Sequence, residues 1–400
     1  MLAAGIFVLT YLILAAGRVP FLRLDRTGAA LVGAVLMVAT GALDLDAARA
    51  AVDPATLALL FGMMVIVAHL RMAGLFALIA RTLTARVSQP AVLLVLLTFA
   101  AGILSALFVN DTVCLVFTPM VIDVSIARRH RPLPYLLALA TGSNIGSVAT
   151  MTGNPQNMLI GSLSGLPFRT FTAALLPVAV VGLVIDAAVI WLLFRHELRR
   201  QSIEQASLPV VRPHWPVLAK ALLVTGAVLV GFLLEYPMGM VSMIGAAALL
   251  ITRRVRPEKV YRAVDWDLLL LFVSLFVLVA GAERSGIDGW LFEWLRPLGV
   301  HTVAGLTATA MVLSNAISNV PAVMLLTKVV PLAPDPERAW LALAMSSTLA
   351  GNLTIIGSIA NLLVIEGARR RGVTIGFVDY ARVGVPVTLL TLVFGVWWLS

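Results

Sequence analysis

Four short polar runs interrupt otherwise apolar sequence: Asn110-Asp111-Thr112, Gly153-Asn154-Pro155-Gln156-Asn157, Ser318-Asn319-Val320-Pro321 and Gly357-Ser358-Ile359-Ala360-Asn361. Ser, Asn and Asp are favoured helix N-caps and Pro is favoured at the first helical position, so each run predicts a helix start. Such a start carries unsatisfied N–H groups and about half a positive charge. Several converging on one cavity would bind an anion without a buried Lys or Arg. The unwound carbonyls before them, with the Asn and Ser side chains, could hold a small cation alongside. The candidate solute-binding residues are Asn110, Asp111, Thr112, Asn144, Gly153, Asn154, Pro155, Asn157, Ser318, Asn319, Asn352, Gly357, Ser358 and Asn361. A coupling sodium would fall to Asn110, Asp111 and Asn319.

Asp111 stands out, because an acid at membrane depth is costly and usually functional. It reads as a proton or sodium carrier, with capping as the structural alternative. Asp186 is a second intramembrane acid and is expected to pair locally. His69 and Arg71 fall at a helix end, where snorkelling to the interface is the default. Cys114, the one cysteine, excludes an intrachain disulfide and reads as packing.

The elements that must position these residues follow from composition. Sixty per cent hydrophobic residues, 12% charged and a mean hydropathy of +1.00 define an all-α polytopic membrane protein. Between Arg131 and Arg169 there is no charged residue. One helix over that interval would run roughly 55 Å, against a hydrocarbon core of about 30 Å. The amide-rich stretch Gly142–Asn157 is where it must break, and broken backbone at that depth survives only inside protein or beside a polar cavity.

The net charge of +9 would suggest nucleic acid in a soluble chain. Here the Lys and Arg residues divide 22 to 6 between alternate connectors, with Arg382 left over, so the basic set faces the cytoplasm. That assignment leaves segments 91–127 and 301–327 entering and returning on one side, as two re-entrant hairpins of opposite sense. The alternative, a single long crossing over 91–127, would erase the charge asymmetry. Ten crossings remain.

The two halves also match. Ala51-Val52-Asp53 corresponds to Ala263-Val264-Asp265; Leu104-Ser105 to Asn110 and Leu313-Ser314 to Asn319 are 209 residues apart, as are Pro177 and Pro386. Gly153…Asn157 and Gly357…Asn361 are 204 apart. The expected architecture is two inverted repeats, each with five crossings, one of them broken, and one hairpin. Repeat 1–195 holds hairpin 91–127 and broken helix 133–165. A cytoplasmic linker, 196–215, leads to repeat 216–400, with hairpin 301–327 and broken helix 339–365.

At the hairpin tips, at Gly153-Asn154-Pro155-Gln156-Asn157 and at Gly357-Ser358-Ile359-Ala360-Asn361, the chain resembles the ion transporter superfamily with the citrate-transporter-like domain. That superfamily includes divalent anion/sodium symporters, arsenite efflux permeases and some sodium/proton antiporters. Asn110-Asp111 followed by Thr118-Pro119, and Asn319 with Pro321, are more similar to arsenite permeases. Asn154-Pro155-Gln156-Asn157 is more similar to the general anion permeases. The resemblance implies a scaffold and a moving transport domain, alternating access, and a homodimer.

The expected function is ion-coupled secondary transport of a small inorganic or carboxylate anion across the bilayer of the cell inner membrane. The alternatives are specific arsenite or antimonite efflux, with a separate ATPase subunit if pumped, and sodium/proton antiport. A channel suits paired hairpins less well. An enzyme is not expected, since no His-Glu-x-x-His motif occurs and Gly161-Ser162-Leu163-Ser164-Gly165 lacks serine-protease spacing. No cofactor or nucleic-acid partner is expected.

Overall fold

The computed structural model describes residues 2–17, 24–87, 89–200, 213–286, 293 and 295–400. Among these the chain is helical throughout, with no strand. Arg18, Arg23 and most of the linker 196–215 lie outside them.

The first half runs α1 (Leu2–Ala16), α2 (Arg26–Ala39), a short α3 (Leu45–Ala51), α4 (Pro54–Met72) and α5 (Leu75–Arg86). It continues with α6 (Pro90–Leu107), α7 (Asn110–Ala127), α8 (Leu133–Ser147), α9 (Pro155–Leu163) and α10 (Phe168–Arg200). The second half has α11 (Trp215–Leu233), α12 (Met238–Leu250), a short α13 (Pro257–Tyr261), α14 (Trp266–Arg284), α15 (Val303–Ile317) and α16 (Asn319–Leu326). It ends with α17 (Pro336–Leu349), α18 (Ile359–Arg369) and α19 (Phe377–Leu399).

Seven of these are long and apolar enough to cross a membrane: α4, α6, α7, α10, α11, α14 and α19. That set differs from the ten expected crossings in an instructive way. It includes both arms of the first hairpin, whose 18 residues each reach about 27 Å. It leaves out α1, α2 and α12, at 15, 14 and 13 residues, and the broken crossings, whose pieces are each short.

Within 91–127 the outer ends of α6 and α7 lie together. Leu93 and Leu97 near the start of α6 and Val124 and Ser125 near the end of α7 line one small cavity with Tyr135. The two arms therefore begin and end on the same side. α8 starts there too, with Tyr135 Oη donating to the Pro90 carbonyl. α10 continues to Arg200, five residues beyond the boundary expected at 195, because no breaker stands between Pro177 and that point.

Corresponding helices of the two halves pair in the same order. α1 packs on α2 and α11 on α12; α14 packs on α2 and α4 on α12; α6 packs on α8 and α15 on α17; α8 packs on α10 and α17 on α19. The Asp53 and Asp265 motifs resolve to one role, since each aspartate N-caps the long helix that follows it, α4 and α14. Between α6 and α8 the contact is backbone on backbone. A Cβ on Gly146 would lie 2.1 Å from the Gly102 carbonyl oxygen. Small residues permit this approach where apolar burial supplies no drive between lipid-embedded helices.

Candidate solute-binding site

The site is a lattice of neutral amides and hydroxyls where α7, α8, α9, α17 and α18 end or begin. Its hub is Asn144, in the last turn of α8. The Asn144 Oδ1 accepts from Asn110 Nδ2 at 2.9 Å and from Ser358 Oγ at 3.0 Å. Its Nδ2 donates to Asn352 Oδ1 at 2.8 Å and to Asn361 Oδ1 at 3.1 Å. All four hydrogen-bonding positions of the amide are filled. Asn352 in turn donates to the Thr141 carbonyl at 3.1 Å.

Each broken crossing is held open by an asparagine that reaches back across its own break. Asn157 Nδ2 donates to the carbonyls of Ser147 and Thr150, and Asn361 Nδ2 to those of Gly351 and Thr354. The carbonyls of Thr150 and Thr354 keep only turn bonds, from the N–H groups of Gly153 and Gly357, and the amide adds a donor to each pair at a depth where water is scarce. Gly153 and Gly357 are glycine for space. A Cβ on Gly153 would meet the Ser147 carbonyl at 2.2 Å, and one on Gly357 would meet Asn315 Oδ1 at 2.7 Å. Pro155 opens α9 at a position that needs no N–H donor.

Of the four expected helix caps, two are present. Asn154 Oδ1 accepts from Asn157 N at 2.8 Å, and Ser358 Oγ accepts from Ala360 N at 3.2 Å. The hairpin tips depart from the expectation. The N-cap of α7 is Val109, and Asn110 stands inside the helix, its side chain turned to Asn144 and its backbone N–H on the Gly153 carbonyl at 3.0 Å. Ser318 precedes α16 with no cap bond, at φ 80° and ψ 158°. That region is nearly confined to glycine, and a serine there stores strain of about 1–3 kcal/mol.

The starts of α7 and α18 are thus brought together at Asn144, and that of α9 joins them through Ser147 and Thr348. The second tip is not tied to them: the side chains of Ser318 and Asn319 make no hydrogen bond to the lattice. Among the described residues, the two tip asparagines share one property. Asn110 Oδ1 and Asn319 Oδ1 are both buried acceptors without a partner, as are the hydroxyls of Ser105 and Ser314 five residues before each.

Asp111 and Thr112 lie outside the lattice. They line a cavity of about 70 Å³ with Met64, Val67, Ala68 and Arg71 of α4 and with Ala263, Asp265 and Leu268. Asp111 is half-buried, and the same lining holds one cation, Arg71, and a second carboxylate, Asp265. His69 does not snorkel: it is buried, its Nδ1 2.9 Å from the Val65 carbonyl one turn back in α4. Cys114 packs against Ser143 and the Leu139 carbonyl, and Asp186 pairs locally with Thr141.

Sequence reasoning missed Thr348, Ser147, Thr141, Thr150, Thr354 and Asn315. Thr348 Oγ1 accepts from Asn154 Nδ2 at 3.1 Å and donates to Asn157 Oδ1 at 3.3 Å. The 204-residue spacing carried one step further, from Asn144, lands on it.

A helical membrane protein with broken crossings packed around neutral amides is a transporter architecture. The citrate transporter family (CitMHS) matches residues 9–338, and the chain belongs to it. The silicon efflux transporter LSI3 of Oryza sativa subsp. japonica is 30% identical, over 94% of this chain and 93% of its own. The putative transporter arsB of Dictyostelium discoideum is 25% identical, over 94% of this chain and 87% of its own. Among solved structures, the YdaH transporter of Alcanivorax borkumensis shares the fold, with a TM-score of 0.56, 18% identity and coverage of 99% and 97%.

Proposed function

We propose that this membrane transporter moves a small anion across the cell inner membrane by alternating access, coupled to a proton or sodium gradient. The observation that carries this reading is the neutral lattice around Asn144, where the starts of α7 and α18 meet and that of α9 joins through Asn154 and Ser147, with no Lys or Arg among its hydrogen-bonding partners in the described residues. Helix N-termini supply the positive potential for the anion. The unpartnered oxygens of Asn110 and Asn319, each with an unpartnered serine hydroxyl five residues earlier in the chain, suit a small cation such as sodium at each tip. Asp111, at the mouth beside Arg71, is placed to meet a solute or ion entering from the basic side. The recurrence of helix pairings and hydrogen bonds at fixed spacing supports two inverted repeats, with 1–195 and 216–400 as the repeat units.

The same unpartnered acceptors favour a second reading. They would take hydrogen bonds from a neutral hydroxylated acid such as arsenous or silicic acid, which a site without a full positive charge does not discriminate against. The name of the rice relative, a silicon efflux transporter, agrees with a solute of this kind.

Uptake into proteoliposomes under imposed proton and sodium gradients tests both readings, with arsenite, silicic acid, sulfate, succinate and citrate as solutes. Saturable flux of one anion that follows a gradient is the expected result. Flux only of an undissociated acid selects the second reading. Sodium-dependent proton movement with no solute flux overturns both and leaves an antiporter.

A further inference from the structure

Asp186 sits near the middle of α10 with its carboxyl wholly buried. One oxygen, Oδ1, is 2.8 Å from Thr141 Oγ1; the other, Oδ2, has no partner. The Thr141 hydroxyl lies 2.8 Å from a second oxygen as well, the Leu137 carbonyl one turn back in α8. A hydroxyl has one hydrogen. Between two acceptors, one of its two short contacts would go without a hydrogen of its own. Leu137 offers only a carbonyl, so two full two-centre bonds at this hydroxyl require the second hydrogen to come from Asp186. A carboxylic acid at Oδ1 donates to Thr141, Thr141 donates to Leu137, and both contacts are made.

The surroundings agree. A bare carboxylate with one hydrogen bond and no countercharge is severely penalised in such an interior, whereas a neutral carbonyl oxygen left without a donor costs only about 1–3 kcal/mol. Among the described residues no cation compensates it. α6 carries no charged residue, and the one titratable group of α8, Tyr135, points to Pro90 and His130. On α11, Lys220 bonds the Ile251 carbonyl. On α17, Glu337 is exposed and Arg338 bonds the carbonyl of Ser400. On α19, Asp379 caps its own helix and Arg382 is exposed. Only Tyr380 of α19 faces the carboxyl from a neighbouring helix within electrostatic reach, with Cys114 of α7 behind it.

We propose that Asp186 is a protonated carboxylic acid in this conformation and is the group through which transport takes up or releases a proton. Thr141 ties it to the solute site, since the same residue's backbone carbonyl receives Asn352 Nδ2, which is bonded to Asn144. When the proton leaves Oδ1, the Thr141 hydrogen turns from Leu137 to the carboxylate. That frees one helical carbonyl a turn from the lattice. Asp186 is a positioning residue in this scheme and touches no solute.

The coupling half of this inference rests on the transporter reading, but its protonation half does not. The test is the infrared spectrum of the purified full chain in lipid at neutral pH, wild type minus Asp186→Asn. A protonated-carboxyl C=O band that is absent from the variant and shifts in heavy water is expected. Its absence means that Asp186 is ionised and overturns the proposal. For coupling, Asp186→Asn keeps a donor for Thr141 and is expected to transport with a flattened pH profile, while Asp186→Leu loses at least tenfold in rate. A wild-type pH profile in Asp186→Asn, with the band present, removes the coupling role and leaves a structural acid. Transport absent from wild type as well, with the band present, points instead to failure of the transporter reading.

Discussion

Asn154 donates to Thr348 across the two halves at 3.1 Å, and the bond has a counterpart in the same cluster. Ser358, 204 residues after Asn154, donates at 3.0 Å to Asn144, 204 residues before Thr348. A second such exchange joins Asn144 to Asn361 at 3.1 Å and Thr348 to Asn157 at 3.3 Å. Each half lends the other the same contacts that it receives.

Removing Asn144 strips partners from four buried groups at once. Each unsatisfied group costs about 1–3 kcal/mol. Asn144→Ala is expected to abolish solute uptake and to lower the melting temperature in detergent by several degrees. Thr348→Ser, which keeps the hydroxyl, should stay within a few degrees of wild type. Fluorescence-monitored unfolding and proteoliposome flux check both. Wild-type flux in Asn144→Ala would remove it from the site.

The exchanged bonds can be weighed separately by double-mutant cycles. For Asn154 with Thr348 and for Ser358 with Asn144, coupling of about 0.5–1.7 kcal/mol is the range expected of polar pairs in membrane proteins. Additive effects in both cycles would show that the contacts do not act as pairs.

Close backbone approach makes Gly146 intolerant of any side chain. Gly146→Ala places a methyl 2.1 Å from the Gly102 oxygen, with backbone on the receiving side and nothing flexible to yield. Loss of monodisperse protein in size-exclusion chromatography is expected. Gly226→Ala, where a Cβ meets no atom within 4 Å, is the control and should express normally.

At the far end of α4 from Arg71, Ser162 of α9 donates to Asp53 Oδ2 at 2.6 Å. Burial acts to raise the Asp53 carboxyl, but hydrogen bonds from Ser162, Thr56 and the start of α4 outweigh it and leave the carboxyl below its ordinary value. The sign of the linkage follows. The contact is strongest with Asp53 charged, is present at neutral pH, and is lost as pH falls through the lowered value. Ser162→Ala removes the cross-link but keeps the cap on α4. It should raise labelling by a membrane-impermeant thiol reagent of a cysteine introduced at Ala58, beside the cavity on that side. Unchanged labelling would mean that Ser162 does not hold this face shut.

Asp111→Asn should weaken the response of transport to the driving cation and leave the lattice folded, because Asp111 makes no bond within it. Flux against sodium concentration and against pH measures this. An unaltered profile in both would return Asp111 to a structural role.

Much of this was legible in residue types and spacing. The break at Gly153-Asn154-Pro155 could be read because apolar length exceeded membrane thickness and Pro155 fixed where. The turn between α6 and α7 was legible in the polar run Asn110-Asp111-Thr112. The hub role of Asn144 was not, because a residue inside a regular helix leaves no mark of which neighbours its amide will find 208 or 217 positions away. Thr348 was hidden for a related reason: its repeat partner is Asn144, a different residue type, and the equivalence lies in position alone. The absence of caps at Asn110 and Ser318 depends on the backbone of the tips, and Ser318 adopts a conformation that serine rarely signals.

The exchanged hydrogen bonds also bear on how a solute gets through. Two halves buttoned to one another through the binding lattice cannot part along their seam without tearing the lattice itself. On the alternating-access reading proposed above, a solute held there would be a passenger in a sealed carriage rather than a traveller through a parting curtain. On that reading the wall beside the carriage is what would change, and α4, bonded by Ser162 at one end and lining a cavity with Asp111 at the other, would be a principal post.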